Sequence, residues 1–527
     1  MRSNRFWAWM VLAYVAGLGL LAAHFRNALN SDGVAYLRLA SYYADGKWDL
    51  AVSGYWGPLA SWGMAPLLKI GLPPLLVARL FMAVSAGVFL LGCRAVYRAF
   101  ELPELWERAG MILAAMASLY WSVQFITPDL LLGGLLCFAT SRLTTGAAFR
   151  TTPAAVGTGL LWGLAYLTKA VALPLAILVV FGFGLLALRK GPAPRAALAY
   201  RAGVILAAFA LLAGPWVLTL SLKYRTPTFS TSARIAHALS GPPDEDRYHP
   251  IGRTLHRPEP GRITSWEDPS RMAYHYWSPL ESRAYAWHQA KTIARNFITC
   301  LALLASLNLA WPPLFFALLL RLSGTWPAGT ERCFRALLLP GLLVLIYVPC
   351  YITLAEQRYF YAAFPFLFAA VGAGLLGTAE PPGRKPSVSA QRWAWWFAVL
   401  GAVLPLVAAV LIIADAPMRA GGCAADLARR LERCRLGGPV AGSGMLPGGR
   451  TGLYIAFLLN QPWYGDERQP APADLKASGA RLVVTRRDSE LAAALDRDAG
   501  FENLDRTLFG DAAEAGRCPL KIYQVLE

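Results

Sequence analysis

The chain has 527 residues, of which 56% are hydrophobic and 16% are charged, whereas soluble domains are about 45–50% hydrophobic and about 25% charged. The mean hydropathy is +0.41. This composition excludes a disordered, fibrous or coiled-coil protein and also a single soluble globule. It predicts a polytopic α-helical membrane protein.

The net charge of +18 is unevenly distributed. Residues 415–527 contain 15 basic and 15 acidic residues, which leaves 35 basic and 17 acidic residues in residues 1–414. In that first part the basic residues lie between apolar runs, which is typical of membrane topology and argues against a nucleic-acid partner. The excess of Arg over Lys and the abundance of Ala favour a bacterial source.

Runs of about 20 apolar residues predict membrane-spanning helices. The first run has no small-residue cleavage site after a short apolar core, so we interpret it as a retained span and not as a cleaved signal peptide. Eleven spans are predicted, at residues 6–25, 74–93, 110–127, 129–145, 154–168, 171–188, 202–220, 296–320, 336–354, 360–378 and 393–414.

Basic residues favour the cytoplasmic side of a membrane, and this rule gives the chain an orientation. With the N-terminus in the cytoplasm, 17 basic residues lie inside, and the three short outer connections contain only Lys169 and Arg358. Eleven spans then put the C-terminus outside the cytoplasm, in a bacterial inner membrane. The predicted outer parts are the loops 26–72 and 221–295 and the tail 415–527, so the chemistry is expected on that face.

The chain therefore divides into a membrane domain, 1–414, and a C-terminal extracytoplasmic domain, 415–527. Helical spacing over Ala424–Arg435 and short apolar runs predict a small α/β domain. If one helix holds Cys423 and Cys434, the two are about 16 Å apart and cannot form a disulfide, whereas Cys518 could pair with either. The predicted strands are Pro439–Gly442, Arg481–Thr485 and Leu520–Leu526.

Two acids near the predicted outer membrane edge are candidate catalytic residues, because charges at this depth are costly. Asp32 follows the first span, and Asp129 opens a later span in a Pro-Asp pair. Either could instead stabilise a helix start. If both carboxylates belong to one site, they could handle a proton or bind a cation.

Lys169 and Arg358 are candidate ligands of a phosphate, which gains negative charge as it leaves. The alternatives are that Lys169 extends to lipid phosphates and that Arg358 pairs with Glu356. Tyr55 and Trp56 could stack on a sugar or form an interfacial aromatic belt. The histidines of the second outer loop have no recurrent ligand spacing, so no metal site is predicted there.

In this order, the acid after the first span, the Pro-Asp pair and two later segments resemble the GT-C glycosyltransferase superfamily. The two segments are Gly-Leu-Ala-Tyr-Leu-Thr-Lys, which ends at Lys169, and Arg-Tyr-Phe-Tyr-Ala-Ala-Phe-Pro, which begins at Arg358. The chain looks most like the bacterial branch related to aminoarabinose transferase and the protein O-mannosyltransferases. The similarity covers most of residues 1–380, and the tail resembles the outer α/β domain of that branch.

The resemblance implies transfer of a sugar from a polyprenyl-phosphate donor to an acceptor on the outer face. It implies that Asp32 is the catalytic acid of the first loop, Asp129 the second acid, Lys169 a basic position, and Arg358-Tyr359 the late Arg-Tyr motif. Relatives often carry Glu-Lys-Pro-Pro-Leu in the first loop, where this chain has Gly54–Leu59. The resemblance therefore does not extend to a metal contact there, and a divalent cation stays open as a cofactor.

The expected reaction is an inverting displacement in which Asp32 takes the proton of an acceptor hydroxyl. Lys169 and Arg358 would hold the departing lipid phosphate. The alternatives are a transporter or flippase of lipid-linked sugars and a non-catalytic subunit of envelope assembly. A transporter would need polar residues through the middle of the membrane, whereas the ionisable residues here concentrate at the outer edge.

Overall fold

The computed structural model describes residues 2–190, 194–307, 328–349, 356–376, 407, 421–443, 450–467, 470–510 and 518–526. Most of the membrane part is helical. Its helices are α1 (Arg2–His24), α2 (Ser31–Ala44), α3 (Trp48–Ala51), α4 (Pro58–Lys69), α5 (Pro74–Ala99), α6 (Glu104–Gln124), α7 (Asp129–Thr144), α8 (Thr152–Thr168), α9 (Ala172–Lys190), α10 (Arg195–Tyr224), α11 (Ser232–Leu239), α12 (Arg283–Ser306), α13 (Ala328–Tyr347) and α14 (Ala363–Leu376).

Helices overlap ten of the eleven predicted spans, and the eleventh, 393–414, lies outside the described residues except for residue 407. Within the described residues, three helical segments are long and apolar enough to cross a membrane, at Arg5–His24, Pro74–Ala99 and Arg195–Tyr224. The protein is thus a helical membrane protein, and the number of eleven spans stays a prediction.

Small residues allow the helices of the membrane part to pack closely. A Cβ atom at Gly134 of α7 would lie 2.7 Å from the Val88 carbonyl oxygen of α5, and one at Gly159 of α8 would overlap the Ile205 carbonyl oxygen of α10. Because a short turn joins α7 to α8, the first residue of α7 and the last residue of α8 lie at the same end of this helix pair.

The two predicted outer loops contain ordered structure and contact each other. The first forms α2, α3 and α4, and the second forms α11 and several short 3₁₀ turns, including Ser265–Glu267. Buried charged residues hold these turns against the first loop and against the end of α10. Glu267 accepts a hydrogen bond of 2.8 Å from the Tyr42 hydroxyl, and Asp268 pairs with Lys223 at 2.9 Å.

The tail folds around a five-stranded sheet with the order β2-β1-β3-β5-β4. The strands are β1 (Val440–Ser443), β2 (Trp463–Glu467), β3 (Leu482–Arg486), β4 (Phe501–Asn503) and β5 (Leu520–Val525), and the helices are α15 (Gly422–Arg433), α16 (Thr451–Leu458), α17 (Pro472–Ser478), α18 (Glu490–Leu495) and α19 (Asp505–Phe509). Strand β1 is parallel to β2 and β3, whereas β5 is antiparallel to β3 and β4. The three predicted strands and the predicted helix are present.

One disulfide forms between the cysteines of the tail that the structure describes. Cys423, at the start of α15, forms a disulfide with Cys518, just before β5, and their Cα atoms are 6.3 Å apart. Cys434 follows the end of α15 and is an exposed free thiol. The bond joins the first helix of the tail to its last strand.

The tail packs on both predicted outer loops. The Trp463 amide of β2 donates a hydrogen bond of 2.6 Å to the Ile263 carbonyl oxygen, and Arg257 donates to the Ser478 carbonyl oxygen at 2.6 Å. In the first loop, Arg38 donates to the Asn460 side chain at 3.2 Å. The tail and the two loops therefore form one continuous assembly over one end of the helices.

Candidate active site

Asp32 lies in the first turn of α2, but it is not the N-cap of that helix. The N-cap is Asn30, whose side-chain oxygen accepts a hydrogen bond of 2.8 Å from the Ile126 amide. This bond fixes the start of α2 against the segment before α7. Gly33 permits the contact between Asn30 and Ile126 because it has no side chain. A Cβ atom at this position would lie only 2.8 Å from the Ile126 Cβ. The carboxylate of Asp32 is thus brought close to the start of α7 without capping its own helix.

Asp129 and Lys169 form a direct ion pair. Asp129 is the first residue of α7 and is buried, and Lys169 follows the last residue of α8. Because the two helices are antiparallel neighbours, the Lys169 ammonium reaches the Asp129 carboxylate at 2.6 Å. The Lys169 side chain is 27% exposed. Its ammonium therefore pairs with a protein carboxylate and remains accessible at one side.

Arg358 lies between two acids. Its guanidinium is 2.7 Å from an Asp32 carboxylate oxygen and also contacts the Glu356 carboxylate. Burial disfavours the charged form of Arg358, but Asp32, Asp129 and Glu356 outweigh this effect and raise its pKa well above the usual range. Arg358 is therefore a buried cation held by neighbouring carboxylates.

The ring of Tyr359 connects the two ion pairs. The Lys169 ammonium lies 4.7 Å from the centroid of this ring, and the Arg358 guanidinium carbon lies 5.6 Å from it. Both distances are within the range of cation–π attraction. The structure thus brings Asp32, Asp129, Lys169, Arg358 and Tyr359 together. We call these five residues and Glu356 the charge cluster.

Tyr55 and Trp56 lie beside Asp32 in a group of aromatic rings. The Trp56 ring is 5.1 Å from the Tyr36 ring and 5.6 Å from the Trp266 ring, and the Tyr55 ring is 5.5 Å from Trp266. The neighbouring Gly57 lies against the carbonyl group of Thr168, next to Lys169, where a Cβ atom could not be accommodated. Trp56 is buried and Tyr55 is half-buried, so the two side chains pack in this aromatic group beside the charge cluster and do not form an exposed belt.

Trp266 is a site residue that the sequence analysis did not identify. Its indole N–H donates a hydrogen bond of 3.2 Å to the second Asp32 oxygen, so both carboxylate oxygens are engaged. The His249 ring packs edge-on against Trp266 at 4.8 Å. Burial and the nearby Arg450 lower the pKa of His249 to about 4, while Asp32 opposes this shift, so the imidazole is neutral near pH 7.

The first-loop stretch Gly54–Leu59 does not fit a metal ion. Tyr55 and Trp56 offer no carboxylate or imidazole ligand, and the Gly54 backbone is occupied by hydrogen bonds to Tyr224 and Thr231. Among the residues that the structure describes, no group of three or more His, Cys, Asp or Glu side chains could hold a metal.

Structural comparison identifies proteins with the same fold. The aminoarabinose transferase ArnT from Cupriavidus metallidurans, in complex with undecaprenyl phosphate, matches with a TM-score of 0.54 and 16% identity over 98% of both chains. The apo form of that enzyme gives a TM-score of 0.53 and 15% identity over 98% of this chain and 97% of that one. The Archaeoglobus fulgidus oligosaccharyltransferase gives 0.51 and 11% identity over 96% of this chain and 72% of that chain.

Comparison by sequence finds no match for this chain, whereas comparison by structure does. No family model matches the chain, and no curated protein matches it. The chain nevertheless shares the fold of ArnT and of the Archaeoglobus fulgidus oligosaccharyltransferase, so the fold that the resemblance implied is confirmed. Among the particular proteins compared, its similarity to ArnT extends over nearly the whole length of both chains.

Proposed function

We propose that this protein is a glycosyltransferase that transfers a sugar from a polyprenyl-phosphate donor to an envelope acceptor. The reaction would take place on the outer face of a bacterial inner membrane. The observation that carries the proposal is the charge cluster, in which Asp32 pairs with Arg358 and Asp129 pairs with Lys169, although these residues come from distant parts of the chain. The structural neighbour ArnT, which is described in complex with undecaprenyl phosphate, supports the choice of donor.

The proposed reaction is an inverting displacement at the anomeric carbon. The donor phosphate binds Lys169 and Arg358, and these cations stabilise the negative charge that grows on the phosphate as the glycosidic bond breaks. Asp32 takes the proton of the attacking acceptor hydroxyl. The acceptor oxygen forms the new bond while the lipid phosphate leaves with the electrons of the old one.

Without a ligand, Lys169 and Arg358 are already neutralised by Asp129 and Asp32. Donor binding must therefore exchange a carboxylate oxygen for a phosphate oxygen at the enclosed Arg358, whereas Lys169 can bind the phosphate at its accessible side. This exchange releases Asp32 from Arg358, because one guanidinium edge cannot serve two anions equally well. Asp32 then becomes available as a base only when the donor is bound, which couples donor recognition to proton removal.

The test is binding of undecaprenyl phosphate to purified protein in nanodiscs. We expect Lys169→Ala and Arg358→Ala each to weaken binding by about tenfold or more, since each removes a charge-assisted contact. Lys47→Ala is the matched control, because Lys47 is an exposed lysine of the first loop that pairs only with Asp45 among the described residues. Unchanged affinity in both site variants, with unchanged thermal unfolding, would refute the donor assignment.

A further inference from the structure

Glu356 is an acid of the charge cluster for which the proposed reaction has no role. Its carboxylate contacts the Nε atom of Arg358, whereas Asp32 contacts the Nη1 atom, and its side chain is 20% exposed. It immediately precedes the short 3₁₀ turn Gln357–Phe360 that carries Arg358. Part of the Glu356 side chain is therefore accessible, although its Oε2 atom and Arg358 are enclosed.

The charges of the cluster do not balance. The acids are Asp32, Asp129 and Glu356, and the cations are Lys169 and Arg358. When all five groups are ionised, the cluster carries one net negative charge. The charged and titratable groups that act on Glu356 among the described residues are Arg358, Lys169, Asp32, Asp129, Tyr359 and Tyr361.

A phosphate group that enters this cluster adds at least one further negative charge. In a partly buried site such an excess costs far more than it would in water. The excess is relieved if one acid becomes neutral. Glu356 is suited to this, because burial raises its pKa above the usual range; Arg358 opposes the shift, and Asp32 and Asp129 add to it.

The phosphate also weakens the interaction that keeps Glu356 ionised. When phosphate oxygens bind Arg358, they compete with the Glu356 carboxylate for the same guanidinium. A new anion beside Glu356 favours its protonated form further. Both effects act in the same direction, so phosphate binding and protonation of Glu356 support each other.

We propose that Glu356 takes up a proton from solvent when the phosphate of a polyprenyl lipid binds Lys169 and Arg358. The inference rests on the proposed function and adds a residue that sets the charge of the phosphate site. The proton moves from water to a Glu356 carboxylate oxygen, and no other bond changes. A sugar donor is a phosphodiester with one negative charge. With Glu356 protonated, the charge cluster and the bound phosphodiester together carry a net charge of minus one and not minus two.

The direction of the pH dependence follows from this proton uptake. Below the pKa of Glu356 in the ligand-free protein, the proton is already present and affinity is greatest. As the pH rises above that value, binding must recruit the proton, and affinity falls by at most about tenfold per pH unit. The decline ends above the still higher pKa that Glu356 has in the complex.

The probe for the experiment is the methyl ester of undecaprenyl phosphate, a phosphodiester that keeps one charge from about pH 5 to about pH 8. Its binding to the full chain in nanodiscs is measured by calorimetry in buffers of different ionisation enthalpy, in the presence of a chelator. We expect wild-type protein to take up a measurable fraction of a proton and to lose affinity as the pH rises. Glu356→Gln should take up none and bind about tenfold more tightly at about pH 8.

Glu281→Gln is the matched control, because Glu281 is an exposed glutamate of the second outer loop, and it should behave as wild type. The wild-type measurement tests the inference even if Glu356→Gln does not fold. Affinity that is independent of pH, proton uptake that persists in Glu356→Gln, or binding that requires a divalent cation would each overturn the inference. Failure of wild-type protein to bind either the ester or undecaprenyl phosphate, both with the chelator and with a divalent cation in its place, would instead overturn the proposed function.

Discussion

At the scale of single residues, Asp32 is the proposed base of the charge cluster. Its position in α2 excludes an N-cap role, and its two oxygens are held by Arg358 and Trp266. Asp32→Asn keeps the size and an acceptor oxygen for the indole but removes the basic group. We expect turnover to fall by about 10²-fold or more, as for loss of a general base. Undecaprenyl phosphate binding should be at least as tight as in wild type, because Arg358 loses a competing anion.

The measurement is complementation of a strain that lacks the gene, scored by mass spectrometry of envelope lipids and glycans. Comparison of the strains with and without the gene also identifies the product. Asp45→Asn is the control, since Asp45 is an acid of the same loop that forms a surface pair with Lys47. Normal product levels with Asp32→Asn would contradict the base assignment and shift it to Asp129.

The residues that sequence analysis could predict are those that mark helix ends. Asp129 and Lys169 lie at the boundaries of apolar runs. The predicted spans alone therefore indicated that both residues lie at the same end of the helices. Trp266 could not be found in this way, because it lies in a loop without periodicity and meets Asp32 across 234 positions of sequence. Glu356 was visible only as a partner of Arg358, since its relation to the other acids depends on tertiary packing.

At the scale of elements, the turn around Trp266 depends on buried charges that lie outside the charge cluster. Asp268 is buried and accepts hydrogen bonds from Lys223 and from the Tyr224 hydroxyl, each at 2.9 Å. Removal of one partner from a buried pair leaves an uncompensated charge, which costs about 3 kcal/mol or more. We expect Asp268→Asn to lower the thermal unfolding temperature and to speed tryptic cleavage of the second outer loop.

Asp246→Asn provides the contrast, because Asp246 is an exposed acid of the same loop and its pair with Arg253 is also exposed. Surface pairs contribute about 0–1 kcal/mol, so this variant should unfold and be cleaved as wild type. Equal behaviour of the two variants would show that Asp268 does not hold the turn. Trp266 would then need another support for its contact with Asp32.

At the scale of the whole molecule, the contacts of the tail bear on the predicted orientation. The tail packs on both predicted outer loops, whereas basic residues predicted to lie inside meet near the turn between α7 and α8. There Arg142 donates to Thr158 at 2.9 Å, and Arg201 contacts the carbonyl groups of Phe149 and Arg150. The tail with the predicted outer loops and these basic residues lie at opposite ends of the helices, as the predicted orientation requires.

The orientation itself can be tested through Cys434, the exposed free thiol of the tail. If the C-terminus is outside, a membrane-impermeant maleimide should label Cys434 in intact spheroplasts, and Cys434→Ser should abolish that signal. The described free cysteines of the membrane part, Cys93, Cys137 and Cys300, are buried and should not react. Labelling of Cys434 only after the cells are broken would reverse the topology. Asp32, Lys169 and Arg358 would then face the cytoplasm, and the proposed outer-face reaction could not occur.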